Sequence, residues 1–243
     1  TRLLLAENPT EDLPFTEVEG AGLRPRYSQV TDATGVDVTR NWLLQQAREA
    51  HVLHYSGHAY FDPSDPLNSA LILERKEPQA RERWLTLRDV FCGMNLRQNV
   101  LTVISGCESG MLLPDRVDEF VGLPSGFLYA GATCVLSTLW AVYDLSSALL
   151  MDRFHANWLS GMHIGAALRE AQRWLRSIPS GLHLRDQVLP GFLQGLANDQ
   201  QRRDCQLAAL HYAFDYPDQP PFASPVHWAP FIATGLSFPL PHK

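Results

Sequence analysis

Long apolar runs are missing from this chain. None reaches the ~18–20 residues that span a bilayer, so no membrane-spanning helix and no membrane partner are expected. Thr1 to Ala6 lacks a charged n-region followed by a long apolar stretch, so no secretory signal is expected either. Clusters of basic residues are also missing. Twenty Lys and Arg against 26 Asp and Glu leave a net charge of −6. The cations are interleaved with acids, as in Glu74-Arg75-Lys76-Glu77 and Arg81-Glu82-Arg83. Binding to a phosphate backbone rests on clustered Lys and Arg, so no direct nucleic-acid partner is expected. Cysteine is scarce. Cys92, Cys107, Cys134 and Cys205 form no CxxC pair and no framework spacing, which excludes a disulfide scaffold and a structural zinc site and suits a reducing cytoplasm.

What the chain has is enough for a substantial core: 243 residues, 45% of them hydrophobic. No internal repeat, low-complexity tract or dividing linker appears, so one domain over 1–243 is expected. Four short apolar runs read as buried strands: 3–6, 51–55, 100–104 and 133–140. A helix is expected over about Val38 to Ala50 and another from about Asp144 to Leu159. Ile164, Ala167, Leu168, Ala171, Trp174 and Leu175 lie at helical spacing on one stripe. From Pro179 to about Pro225 the pattern reads as helix and loop. Trp228 to Gly235 reads as a last edge strand, because Pro230 disfavours a central place. Continuous apolar strands separated by helices imply an α/β fold with a mostly parallel sheet covered on both faces.

Ligands and catalytic groups in open α/β sheets collect past the carboxyl ends of strands. Two of these strands end in unusual sequences, His54-Tyr55-Ser56-Gly57-His58-Ala59 and Ser105-Gly106-Cys107-Glu108-Ser109-Gly110. Small residues there allow a sharp turn and hold a reactive side chain at the sheet edge. If the strands are neighbours, His58 and Cys107 share one crevice. An isolated thiol has a pKa of about 8.5 and is only a few per cent thiolate at neutral pH. An imidazole in reach takes the thiol proton and later delivers it to a leaving amine. The backbone N–H groups of Cys107 and Ala59 are the natural oxyanion donors. The plainer readings are a small core cysteine and a surface histidine. His54 reads as a buried polar residue, and His51, His54 and His58 lack the accompanying ligands a metal would need, so no metal or cofactor is expected. Glu108 sits at the centre of Gly106 to Gly110, so the nucleophile elbow of an α/β-hydrolase is excluded. His58 precedes Cys107 by 49 residues, close to the roughly 50 of caspases.

The order of segments resembles the CHAT domains of bacteria, relatives of caspases and separase. The match runs through His58, Pro66 to Leu73, Leu85 to Asp89, Ser105 to Gly110, Asp118 to Leu123 and Phe127 to Ala132. It continues through Ser137 to Asp144, Ala166 to Gln172 and Trp228 to Phe231. The resemblance implies a caspase–hemoglobinase three-layer sandwich and a His58–Cys107 dyad that cleaves protein substrates. The family usually has Gly after the histidine. Ala59 stands there in this chain, and alanine would be strained if the backbone needed φ > 0. In separase-like relatives an acid after the fourth strand receives a basic P1 side chain. Asp144 occupies the similar place and also reads as a helix N-terminal residue. Ser105 is expected to line that pocket, and Trp140 reads as pocket wall or core. Asp118 and Glu119 read as support for the active-site loop or as a helix start. Such domains are commonly joined to a regulatory part, often tetratricopeptide repeats, and the absent initiator methionine fits a piece of a longer protein. Two other functions stay open: a pseudo-peptidase scaffold, favoured by Ala59, and a small-molecule thiol hydrolase or acyltransferase.

Overall fold

A strand whose residues are all apolar has no face to give to water, and the central strands follow that rule. The computed structural model describes residues 1–74, 84–106, 122–140, 142 and 144–239, with the side chains of Pro14 and Asp144 left out of the description. The main sheet holds β1 (Arg2–Glu7), β2 (Gln29–Thr34), β3 (Val52–Ser56), β7 (Leu101–Ser105), β8 (Cys134–Thr138) and β9 (Phe231–Gly235). Its order is β2-β1-β3-β7-β8-β9. All neighbours are parallel except β8 and β9, which run antiparallel at the edge. Every residue of β3, β7 and β8 is buried. Successive side chains point to opposite faces, so both faces of these strands are closed to solvent. That is the burial the expected three-layer α/β class demands. A second, antiparallel sheet joins β4 (Ala59–Tyr60), β5 (Ala70–Leu71) and β6 (Leu85–Thr86).

The chain divides into two compact units. One comprises Thr1–Leu13, Tyr27–Val142 and Pro230–Ser237, and it holds both sheets. The other comprises Pro14–Arg26, Tyr143–Ala229 and Phe238–Lys243. In the first unit Leu4, Leu53, Tyr55, Ile104 and Val135 pack with Leu43, Leu87, Val90 and Phe127 in one core. Those partners come from α2 (Arg40–Gln46), α3 (Leu87–Gly93) and α4 (Leu123–Tyr129). Thr39 caps α2 by accepting from Trp42 N, and Thr86 and Asp89 close a capping box on α3. The helix expected over 38–50 is therefore shorter, ending at Gln46 in a 3₁₀ turn over Ala47–Glu49.

The second unit is helical: α1 (Pro14–Leu23), α5 (Asp144–Leu159), α6 (Ile164–Arg176), α7 (Gly181–His183), α8 (Leu189–Leu193), α9 (Asp199–Asp215) and α10 (Pro225–Trp228). α5 packs against α1 and α6. The stripe on α6 buries Ile164, Ala167, Leu168, Ala171 and Leu175, while Trp174 stays part-exposed. Among the described residues no helix is long and apolar enough to cross a membrane.

Two thiols are sealed inside this fold. Burial pushes Cys134 up to about 11 and, with Asp204 nearby, Cys205 up to about 12. Above about pH 9 the unfolded chain loses these thiol protons while the native chain keeps them, so stability falls as pH rises from about 9 towards 11. Urea midpoints at pH 8 and pH 10.5 will therefore differ more for the wild-type chain than for a Cys134→Ala/Cys205→Ala variant. Equal differences would contradict the assignment.

Candidate active site

Parallel strands in register send their carboxyl ends out of a sheet side by side. Ser56 of β3 faces Ser105 of β7, and Gly57 N donates to Ser105 O at 3.1 Å. The next residues are the glycines. A Cβ at Gly106 would lie 2.5 Å from Gly57 O and 3.5 Å from both Ala59 N and Ala59 Cβ. A Cβ at Gly57 would lie 2.6 Å from Tyr55 Oη. Neither position has room for a side chain. Gly106 thus lies against Gly57 and Ala59, the two chain neighbours of His58. Thr138 Oγ1, at the end of β8, donates to Gly106 O and ties down the third strand end.

His58 itself sits between β3 and β4. The buried Tyr55 hydroxyl lies 2.7 Å from His58 O and 2.9 Å from Ile72 O and shares its one proton between these two acceptors. Burial raises the Tyr55 phenol well above its ordinary value, so it remains a donor. The imidazole is part-exposed, and its Nε2 lies 3.1 Å from Asp12 Oδ1. Asp12 was absent from the residues singled out by sequence. It lies 46 residues before His58 in a loop without periodicity, and no short motif marks it.

Ala59 stands in β4 opposite Leu71. Ile72 N donates to His58 O at 2.9 Å, which makes 58 and 72 the hydrogen-bonded pair. The next residue alternates, so the Ala59 N–H points away from β5. The strain expected of alanine here does not arise. Among the described residues the only non-glycine residues with positive φ are Asn8 and Glu11.

Ser105 is 5% exposed at the end of β7. Trp140 is half-buried, two residues past β8. Asp144 is the first residue of α5, and its side chain is outside the description. Cys107, Glu108, Ser109, Gly110, Asp118 and Glu119 lie outside the described residues. His54 is fully buried in β3, and His51 Nδ1 accepts from Arg2 N at 3.2 Å. Among the described residues no group of three His, Cys, Asp or Glu could hold a metal ion.

The family model of the CHAT domain matches residues 3–236. This chain belongs to the CHAT family. Tetratricopeptide repeat protein 28 of Homo sapiens is 32% identical over 106 residues, covering 44% of this chain. Its Mus musculus counterpart matches to the same extent. The chain spans 4% of the length of these curated relatives. Among solved structures, the Arg-specific cysteine proteinase gingipain R aligns with a TM-score of 0.50 at 9% identity, over 83% of this chain and 43% of that one. The separase–securin complex of Saccharomyces cerevisiae aligns with a TM-score of 0.47 at 13% identity, over 71% of this chain and 10% of that one. The likeness to gingipain R is one of fold.

The glycine packing generates a paired test. Gly106→Ala forces a methyl group onto the Gly57 carbonyl and is expected to destabilise the chain by about 1–3 kcal/mol. Gly191 in α8 has nothing within 4 Å of its built Cβ. Gly191→Ala is expected to leave stability unchanged or raise it by up to about 1 kcal/mol, as helix propensity dictates. Denaturant midpoints check both, and a neutral Gly106→Ala would refute the close approach.

Proposed function

We propose that this CHAT domain is a cysteine endopeptidase in which Cys107 is the nucleophile and His58 its base. The observation that carries the reading is the seat of Gly106 against Gly57 and Ala59. It brings the residue before Cys107 to the two residues that flank His58. In the proposed reaction the imidazole takes the thiol proton, and the thiolate attacks the scissile carbonyl carbon. Negative charge gathers on the carbonyl oxygen, where the N–H groups of Ala59 and Cys107 donate to it. The imidazolium returns its proton to the leaving amine as the C–N bond breaks, leaving a thioester on Cys107. Water then adds to the thioester with the imidazole as base, and the acid product and free thiol are released.

In this reading the whole chain acts as one catalytic domain, and the substrate is protein. Ser105, Trp140 and Asp144 form the P1 pocket, with Asp144 pairing a basic side chain. The same fold carries an Arg-specific peptidase in gingipain R, so cationic P1 residues are the first to test. Joining to tetratricopeptide repeats is proposed from the names of the mammalian relatives, of which this chain matches a small part. The second reading, a pseudo-peptidase scaffold, drew its best support from Ala59, whose backbone lies in β4 without positive φ.

A peptide library with every P1 residue, read by mass spectrometry, tests the proposal. Cleavage after Arg or Lys is expected, and it is expected to disappear in Cys107→Ala and His58→Ala. Addition of a tetratricopeptide-repeat partner is expected to raise it. Cleavage that survives both substitutions would refute the dyad. Cleavage after other residues alone would refute the role of Asp144.

A further inference from the structure

The chain leaves β1 for β2 on one side of the sheet order, and β3 lies on the other side of β1. The carboxyl ends of β1 and β3 are therefore the topological switch point, where connections part and leave a crevice. Two segments meet there: residues 8–13 after β1, and Gly57-His58 after β3. Asn8 N donates to Ser56 O at 2.9 Å and joins them.

The segment after β1 is held in an unusual shape. Asn8 has φ 44° and Glu11 φ 59°, in the left-handed region that residues with a Cβ seldom adopt. Such a conformation persists only where its surroundings over-determine it. Here they do. Asn8 O accepts from Glu11 N at 3.0 Å, and Asn8 Oδ1 accepts from Leu13 N at 2.9 Å. The Glu11 carboxylate is turned to Gly35, whose built Cβ would lie 3.0 Å from Glu11 Oε1. Thr10 Oγ1 donates to Asp12 Oδ1 at 2.5 Å. The outcome of this bracing is one carboxylate, Asp12, aimed at the ring of His58.

We propose that Asp12 is the positioning residue of His58: its Oδ1 accepts from Nε2–H and so fixes the tautomer that leaves Nδ1 as the basic nitrogen. A histidine ring nitrogen is assigned its role by the hydrogen bond the other one makes. When Nδ1 takes the thiol proton, the Asp12 charge also stabilises the imidazolium. The catalytic part of this assignment rests on the peptidase reading; the tautomer part does not.

Long-range ¹H–¹⁵N spectra of the full chain labelled with ¹⁵N-histidine, with His58 assigned through His58→Gln, test the tautomer. The wild-type chain is expected to show the proton on Nε2, and Asp12→Ala a mixture of tautomers. In turnover, Asp12→Ala is expected to lower kcat by about 10- to 100-fold with KM little changed. Asp12→Glu is expected to restore part of both signals. Asp12→Asn, which keeps the shape of the loop, is expected to keep the tautomer and lose kcat through the missing charge. A proton on Nδ1 in the wild type, or an unchanged tautomer in Asp12→Ala, overturns the assignment. Turnover that is intact in Asp12→Ala overturns it and leaves the peptidase standing. A tautomer that shifts in a chain with no turnover supports the Asp12–His58 pairing and counts against the peptidase reading alone.

Discussion

The parallel register of β3 with β7 is the constraint on which the site depends. With Ser56 opposite Ser105, Gly57 and Gly106 emerge side by side, and their backbones approach to a distance that excludes a Cβ. A register shift of one residue would turn the side chains of a strand to the opposite face. It would bury His58 or carry it away from the residue before Cys107. Buried side chains on both faces of these strands hold the register in place, so the packing of the sheet also fixes the backbone geometry at its edge.

Around that approach the fold spends hydrogen bonds on backbone groups of the site. Tyr55 shares its hydroxyl proton between the carbonyls of His58 and Ile72, Thr138 donates to that of Gly106, and Asn8 N to that of Ser56. Each such bond contributes about 0.5–1.5 kcal/mol net, so these contacts stabilise the strand ends as well as align them. Their joint effect is that three successive strand ends and the loop after β1 are tied to one another.

How much of this was legible in sequence follows from burial and length. β1, β3, β7 and β8 were readable because strands covered on both faces carry unbroken apolar runs. β2 was not: Gln29–Thr34 is an edge strand with exposed and half-exposed residues, and its Thr and Asp look like a loop. β4, β5 and β6 are two residues each, too short for any period to register. α1 carries Gly20 and Gly22 within ten residues, which weakens a helical reading that its packing on α5 overrides. In the candidate site, His58 stands out as a candidate through the small residues around it. Ala59 was read as a source of strain, because the sequence could not reveal that the chain enters an extended strand at that point. Asp12 was invisible because its contact with His58 arises from the adjacency of β1 and β3, not from spacing along the chain.

The central claim is that His58 acts on Cys107, and it is tested most directly without substrate or activator. The rate of alkylation by iodoacetamide would be followed at each cysteine by mass spectrometry from pH 5 to pH 9, with the exposed Cys92 as internal reference. The account predicts that Cys107 reacts at a pH well below that needed by Cys92, and that His58→Ala abolishes the difference. A Cys107 profile that overlays that of Cys92, with or without His58, would contradict it.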